Sequence, residues 1–253
     1  MSNFKLYLVF TAAFFVMHLL GILLAPLPYM LNASIVCFIV SSMLYFINVL
    51  CYNKSTKNAA VDIGLKSISF KRVKTGLSLS LTILLMYPLL AYILDTTIDL
   101  NEKWGLNAIG LLLTAGVTEE LLFRGFLFGK LRVTMSFRKA AGISVMAFSL
   151  AHLLMFTYMD WTIALSSTLL AVGLSIPFAY LYETAENSIW SPAIFHAAIR
   201  SIGMIFITED KNYIMLVLAW MAISLLVPNI FMLLNKKFRK LWNSELVRIY
   251  NLR

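Results

Sequence analysis

A helical bundle of about eight transmembrane segments, all-α and forming a single membrane domain over residues 1–253, is the fold this sequence predicts, on three observations. Of the 253 residues 60% are hydrophobic and only 13% charged, with a mean hydropathy of +0.83, whereas soluble domains carry roughly 25% charged residues. Apolar runs able to cross a hydrocarbon core of about 30 Å, roughly 20 helical residues each, recur along nearly the whole chain. The polar loops between them are short, and they alternate between basic and acidic. Lipid offers the backbone no hydrogen-bond partners, so such runs must satisfy themselves as helices.

The first run covers residues 6–25. Lys5 gives it the look of a secretory signal, but it is too long for a signal core and reaches Ala25 and Pro26 without a small-residue cleavage pattern. It is read as the first span. The second run, 33–52, holds both cysteines, Cys37 and Cys51; about 21 Å of helix separates them, too far for a disulfide. Further runs follow at 76–94, 106–129, 140–157, 162–182, 189–208 and 213–234. Pro26, Pro28, Pro88, Pro177, Pro192 and Pro228 have no regular spacing. They kink or end spans, without the paired interrupted helices of a transporter repeat.

The loops then orient the bundle. Residues 53–75 carry Lys54, Lys57, Lys66, Lys71, Arg72 and Lys74, residues 130–139 carry Lys130, Arg132, Arg138 and Lys139, and the tail after 235 is again basic. Residues 95–105, DTTIDLNEKWG, and the loops 158–161 and 209–212 are mainly acidic. With eight crossings every basic segment falls on one side and every acidic one except 183–188 on the other, so both termini are expected in the cytoplasm. The net charge of +9 then reflects orientation and attraction to lipid headgroups, and no nucleic-acid motif accompanies it. Minimal loops on a short chain suggest a bacterial cytoplasmic membrane. In the tail 235–253, Phe238, Leu241, Trp242, Leu246, Ile249 and Tyr250 recur at helical spacing among Lys236, Lys237, Arg239, Lys240 and Arg248. That pattern predicts an interfacial helix on the inner leaflet.

Within the spans the ionisable residues are few, and each demands a reason, because a charge at mid-bilayer costs about 2.5 to 3.5 kcal/mol on insertion scales. Glu120 and Arg124 are four apart on one helical face and can pair with each other. Such pairing lowers the desolvation penalty of both and accounts for them structurally. Glu119 is rotated about 100° from Glu120 and has no partner at helical spacing. His152 and His196 are solitary imidazoles on later spans. Measured from the cytoplasmic ends of their spans, Glu119, His152 and His196 lie about 16, 20 and 10 Å deep at 1.5 Å per residue. The three are therefore expected to meet in the inner half of the membrane. His18 lacks such companions and is read as a packing or interhelical hydrogen-bonding residue.

A carboxylate with two imidazoles suits two chemistries. Glu119 can act as general base on a water, with a histidine moving protons or orienting that water. Alternatively, two histidines and one carboxylate can hold a metal that makes the hydroxide. Both readings amount to water activation within a membrane.

Three motifs on three spans then go together. EELLFR at 119–124 fits EExxxR, FSLAH at 148–152 fits FxxxH, and His196 opens a segment similar to HxxxN. In this order they resemble the CPBP family of membrane proteins, the CAAX proteases and bacteriocin-processing enzymes, over about residues 106–204. The resemblance implies an eight-helix bundle with a cavity open to the cytosol and no cofactor or metal. It implies a peptide bond cut near the cytoplasmic face, in a small hydrophobic peptide or a lipidated, CAAX-like protein. By the same resemblance Glu119 activates the water with help from His152, Glu120 and Arg124 hold the site together, and His196 with the residue four on stabilises the oxyanion. That residue is Arg200 where the family has asparagine. Arg200 can donate to an oxyanion, or it can pair with Glu119 and fill the cavity. The substitution motivates the alternative to an enzyme, a non-catalytic immunity or regulatory protein on the same fold.

Overall fold

The computed structural model describes residues 3–208 and 212–245. Among the described residues seven helices are long and apolar enough to cross a membrane. They are α1 (Asn3–Leu23), α2 (Tyr29–Tyr52), α4 (Phe70–Ile93), α5 (Trp104–Leu131), α6 (Phe137–Leu153, prolonged to Thr157 by a 3₁₀ turn), α7 (Trp161–Thr184) and α9 (Tyr213–Leu234). Shorter helices are α3 (Thr56–Asp62), α8 (Trp190–Ile199) and α10 (Lys236–Asn243). The protein is an all-α, multi-pass membrane bundle.

One predicted span differs in kind. Residues 189–208 do not form a full-length helix: α8 has 10 residues, and beyond Arg200 the chain turns into β2 (Phe206–Ile207), which pairs antiparallel with β1 (Asp99–Leu100). The segment still passes from one end of the bundle to the other, because β1 belongs to the loop following α4 and Ile189 is tied to the loop preceding α4, its N–H donating to the carbonyl of Gly64. Irregular backbone at membrane depth is tolerated only where protein shelters it. The chain provides that shelter here, since Ser201 is buried and the carbonyl of Met204 accepts from the side-chain amide of Asn107 at 2.7 Å.

Charge sorts the two ends of the bundle. At one end Arg132 grips Glu183 through Nε to Oε2 at 2.9 Å and Nη2 to Oε1 at 2.7 Å, a bidentate pair. Lys130 pairs with Asp62, and Lys71 and Arg72 both pair with Glu186. The hydrogen bond from Lys71, with Arg72 adding to it, holds the Glu186 carboxyl below its ordinary value of 4.5. Gly64, at φ +86, makes the turn that brings its backbone against Ile189; a side chain there would be strained and would meet Ile189 and Tyr182. The opposite end holds the β1–β2 pair and a side-chain bond from Asn212 to the carbonyl of Leu94.

Of the predicted tail helix, α10 is described, and its apolar face packs onto the bundle: the Phe238 ring lies 5.6 Å from Tyr180 and 6.2 Å from Phe137. Leu246, Arg248, Ile249 and Tyr250 lie outside the described residues. Pro177 sits inside α7, where it cannot donate to the carbonyl of Gly173 four residues earlier. Asn229 on α9 supplies the missing donor, its amide reaching that carbonyl at 3.0 Å. The proline break thus becomes a tie between two helices.

Candidate active site

The site is built on α5, which departs from α-helical geometry over the EExxxR motif. Residues Leu112–Glu119 and Leu121–Phe128 bond in the wider i to i+5 pattern, and the Thr118 hydroxyl likewise reaches back five residues to the carbonyl of Leu113 at 2.6 Å. Such π-helical turns are rare and recur at functional positions. Here they let two consecutive carboxylates approach one imidazole.

That imidazole is His196, near the end of α8. Its Nδ1 lies 2.8 Å from Oε1 of Glu120 and its Nε2 lies 3.9 Å from Oε2 of Glu119. A carboxylate oxygen accepts, so Nδ1 carries the proton and donates to Glu120. The same Glu120 oxygen accepts from Nη1 of Arg124 at 3.2 Å, the expected i, i+4 pair, and Nη2 of Arg124 donates to the Ser175 hydroxyl at 3.1 Å. The guanidinium carbon sits 4.3 Å from the centre of the Phe148 ring and 4.9 Å from that of Phe178, close enough for cation–π attraction. Phe178 also stacks on His196 at 4.8 Å. Glu120 and Arg124 are fully buried.

Glu119 is treated differently. Its side chain is 26% exposed and faces two cavities. One, of about 620 Å³, is lined by His18, Asn32, Thr114, Thr118, Glu119 and Tyr158 among others. The second, of about 130 Å³, brings Glu119 together with His152 and Arg200. At 3.9 Å the His196 nitrogen is beyond hydrogen-bond length, so Glu119 is neighboured but not consumed. His152 donates from Nδ1 to the carbonyl of Phe148 at 2.9 Å, which leaves Nε2 as its acceptor. Arg200 follows the last residue of α8, is exposed, and among the described residues pairs with no carboxylate. It does not tie up Glu119.

The expected meeting of Glu119, His152 and His196 takes place: Nε2 of His196 lies 3.9 Å from Glu119, and Glu119 and His152 line one cavity. His152 is one residue from the end of α6, and the span it belongs to ends at Thr157, away from the basic loop at 130–139. Among the described residues no group of three His, Cys, Asp or Glu side chains is gathered to hold a metal.

Sequence reasoning missed three participants. His18 is part of the cavity wall, with its ring 6.0 Å from that of Tyr158; its place near the far end of α1 was a signal that could have found it. Tyr158 lies in a loop, and burial raises its phenol above the ordinary value of 10.0. Ser175 has no sequence signature among the many span serines.

A multi-pass membrane protein with a buried Glu–His–Arg array beneath a polar cavity is the class these observations define. Residues 101–202 match the family model of the type II CAAX prenyl endopeptidase, Rce1-like, a stretch that includes the three segments at 119–124, 148–152 and 196–200. A comparison with curated proteins finds no match.

Proposed function

We propose that this protein is an intramembrane glutamic endopeptidase of the cell membrane in which Glu119 activates the hydrolytic water. One observation carries the reading: of two adjacent carboxylates, Glu120 is wholly buried with its Oε1 held by both Arg124 and His196, whereas Glu119 is partly exposed and opens on a cavity shared with an imidazole and a guanidinium. Glu119 takes a proton from water as its oxygen attacks the peptide carbonyl carbon. The carbonyl oxygen becomes an oxyanion, for which Arg200, on the cavity wall with Glu119, is the cationic donor. The proton passes, by way of Glu119 or Nε2 of His152, to the leaving nitrogen as the C–N bond breaks, giving one acid and one amine. His196 positions Glu119 against Glu120, a role the geometry favours over direct oxyanion contact.

The substrate class is a hydrophobic or amphipathic peptide or a lipidated protein segment. The test is cleavage of candidate peptides by detergent-purified protein. Glu119→Gln is expected to lower the rate by about 10² to 10⁴, the usual contribution of a general base, with its thermal unfolding unchanged. Equal cleavage by both proteins would refute the reading and favour the immunity or regulatory alternative that Arg200 suggests.

A further inference from the structure

The two cavities that reach Glu119 adjoin: Met17, His18, Glu119 and Tyr158 line both the one of about 620 Å³ and the one of about 130 Å³. These four residues stand at the junction. A peptide whose scissile bond is presented to Glu119 therefore extends from that point into both cavities. Each residue of an extended strand brings an N–H and a C=O with it, and a cavity with largely apolar walls penalises any that stays unpaired.

Most polar side chains of the larger cavity are already spent on the protein. Asn32 donates to the carbonyl of Gly21 at 3.2 Å, Thr114 to that of Gly110 at 2.9 Å, Thr118 to that of Leu113 at 2.6 Å and Thr157 to that of Leu154 at 2.7 Å. His18 is different. Among the described residues its imidazole has no hydrogen-bond or ion-pair partner, and its neighbours are rings, Phe14 stacked on it at 6.0 Å and Tyr158 tilted against it at 6.0 Å. Of its two expected roles, packing or an interhelical hydrogen bond, the described residues show the packing alone. The result is a half-buried polar ring on a membrane span, turned toward two cavities. Ionisable side chains persist at such positions where they face the bundle interior and serve a function. A neutral imidazole offers one donor and one acceptor, the complement of a peptide group.

We propose that His18 is a substrate-binding residue: it holds the main chain of an extended peptide at the junction beside Glu119, and so sets which bond meets the activated water. Phe14 and Tyr158 fix the plane of the ring for that contact. His18 lies outside residues 101–202, on a helix that the family match does not reach. What the held peptide undergoes rests on the endopeptidase reading; that it is held does not.

The experiment compares wild type, His18→Phe and His18→Gln in detergent. His18→Phe keeps a flat ring between Phe14 and Tyr158 but has no ring nitrogen, whereas His18→Gln keeps a donor and an acceptor. The probe is an amphipathic peptide of alternating leucine and lysine that carries a fluorophore, a quencher and a benzophenone. His18→Phe is expected to raise KM about fivefold or more with kcat within about twofold, the mark of a lost binding hydrogen bond. Its thermal midpoint should stay at the wild-type value, and His18→Gln should recover much of the KM. Leu19→Ala, on the exposed side of α1, should match wild type. In Glu119→Gln, where binding is separated from cleavage, photo-crosslinking of the same peptide to Met17 or Tyr158 should fall about fivefold when His18→Phe is added. An unchanged KM in His18→Phe, a loss confined to kcat, or an equal fall in thermal midpoint for both His18 variants would overturn the proposal. Crosslinking that depends on His18 in a protein that cleaves no peptide would leave the binding role standing and remove the protease reading alone. A protein that neither cleaves nor crosslinks the peptide loses both.

Discussion

Gly116 lies on the face of α5 that meets α8, and a Cβ built there would sit 2.8 Å from the carbonyl oxygen of Ala193, 3.4 Å from its carbon and 3.2 Å from Cδ1 of Leu112. Ala193 is three residues before His196, on the helix that carries it. Ordinary contact begins at 3.4 Å, so Gly116→Ala must displace backbone by about 0.6 Å, and backbone of a packed helix does not swing aside as a side chain does. Overpacking of this kind costs about 1 to 3 kcal/mol, and the gain of alanine over glycine in a helix returns about 1 kcal/mol. The net loss of stability is therefore small, about 0 to 2 kcal/mol. The effect on catalysis is larger, because a misplacement approaching 1 Å can cost about 10²-fold in rate. Gly105→Ala, on the same helix with nothing within 4 Å of the added methyl, receives only the helix-propensity gain. Peptide cleavage and thermal unfolding in detergent are measured on both variants. Gly116→Ala is expected to lose tenfold or more of kcat, roughly a 1.4 kcal/mol rise in barrier, while Gly105→Ala keeps wild-type activity. Equal kcat for the two would refute the argument that α8 is seated on α5 through this glycine.

Arg124→Met removes one partner of a fully buried pair and is expected to destabilise by about 3 to 5 kcal/mol, read as a fall in thermal midpoint larger than that of Glu119→Gln. Asn229→Leu leaves the Gly173 carbonyl below Pro177 without its donor and is expected to cost about 1 to 3 kcal/mol, whereas Asn229→Gln recovers part of it. Acid should loosen the clamp at Glu186. Its folded pKa lies below the unfolded value of 4.5, so its contribution is present above 4.5 and is lost as pH falls through the folded value. Unfolding followed from pH 6 to pH 3 should therefore flatten in Glu186→Gln, and an unchanged pH profile in that variant would contradict the assignment.

Most of the fold was legible in residues whose physics is local. Uninterrupted apolar runs predicted the long spans, and the i, i+4 spacing of Glu120 and Arg124 predicted their pair, since lipid leaves helix as the only option and helix fixes the spacing. The 10-residue α8 was not legible: its sequence is as apolar as a span, and what stops it at Ile199 is tertiary, the pairing of β2 with β1 and the shelter given to Met204 by Asn107. The π-helical turns of α5 were equally hidden, so the sequence placed Glu119 about 100° away from Glu120, where the structure lets both reach His196. Charge pattern predicted an orientation but not the aromatic cluster beside Glu119, because that depends on Phe10, Phe14, Phe123 and Phe148 meeting across three helices.

The shortness of α8 bears on the residue that departs from the family pattern. The aligned peptide dipoles of a helix give its C-terminal end a partial negative charge. Arg200 stands at this terminus, with its own N–H donating to the carbonyl of His196 at 3.1 Å. A cation at a helix C-terminus gains about 0.3 to 1 kcal/mol, more where water is excluded. The helix end thereby sets a partial negative charge beside the cationic residue that shares a cavity with Glu119.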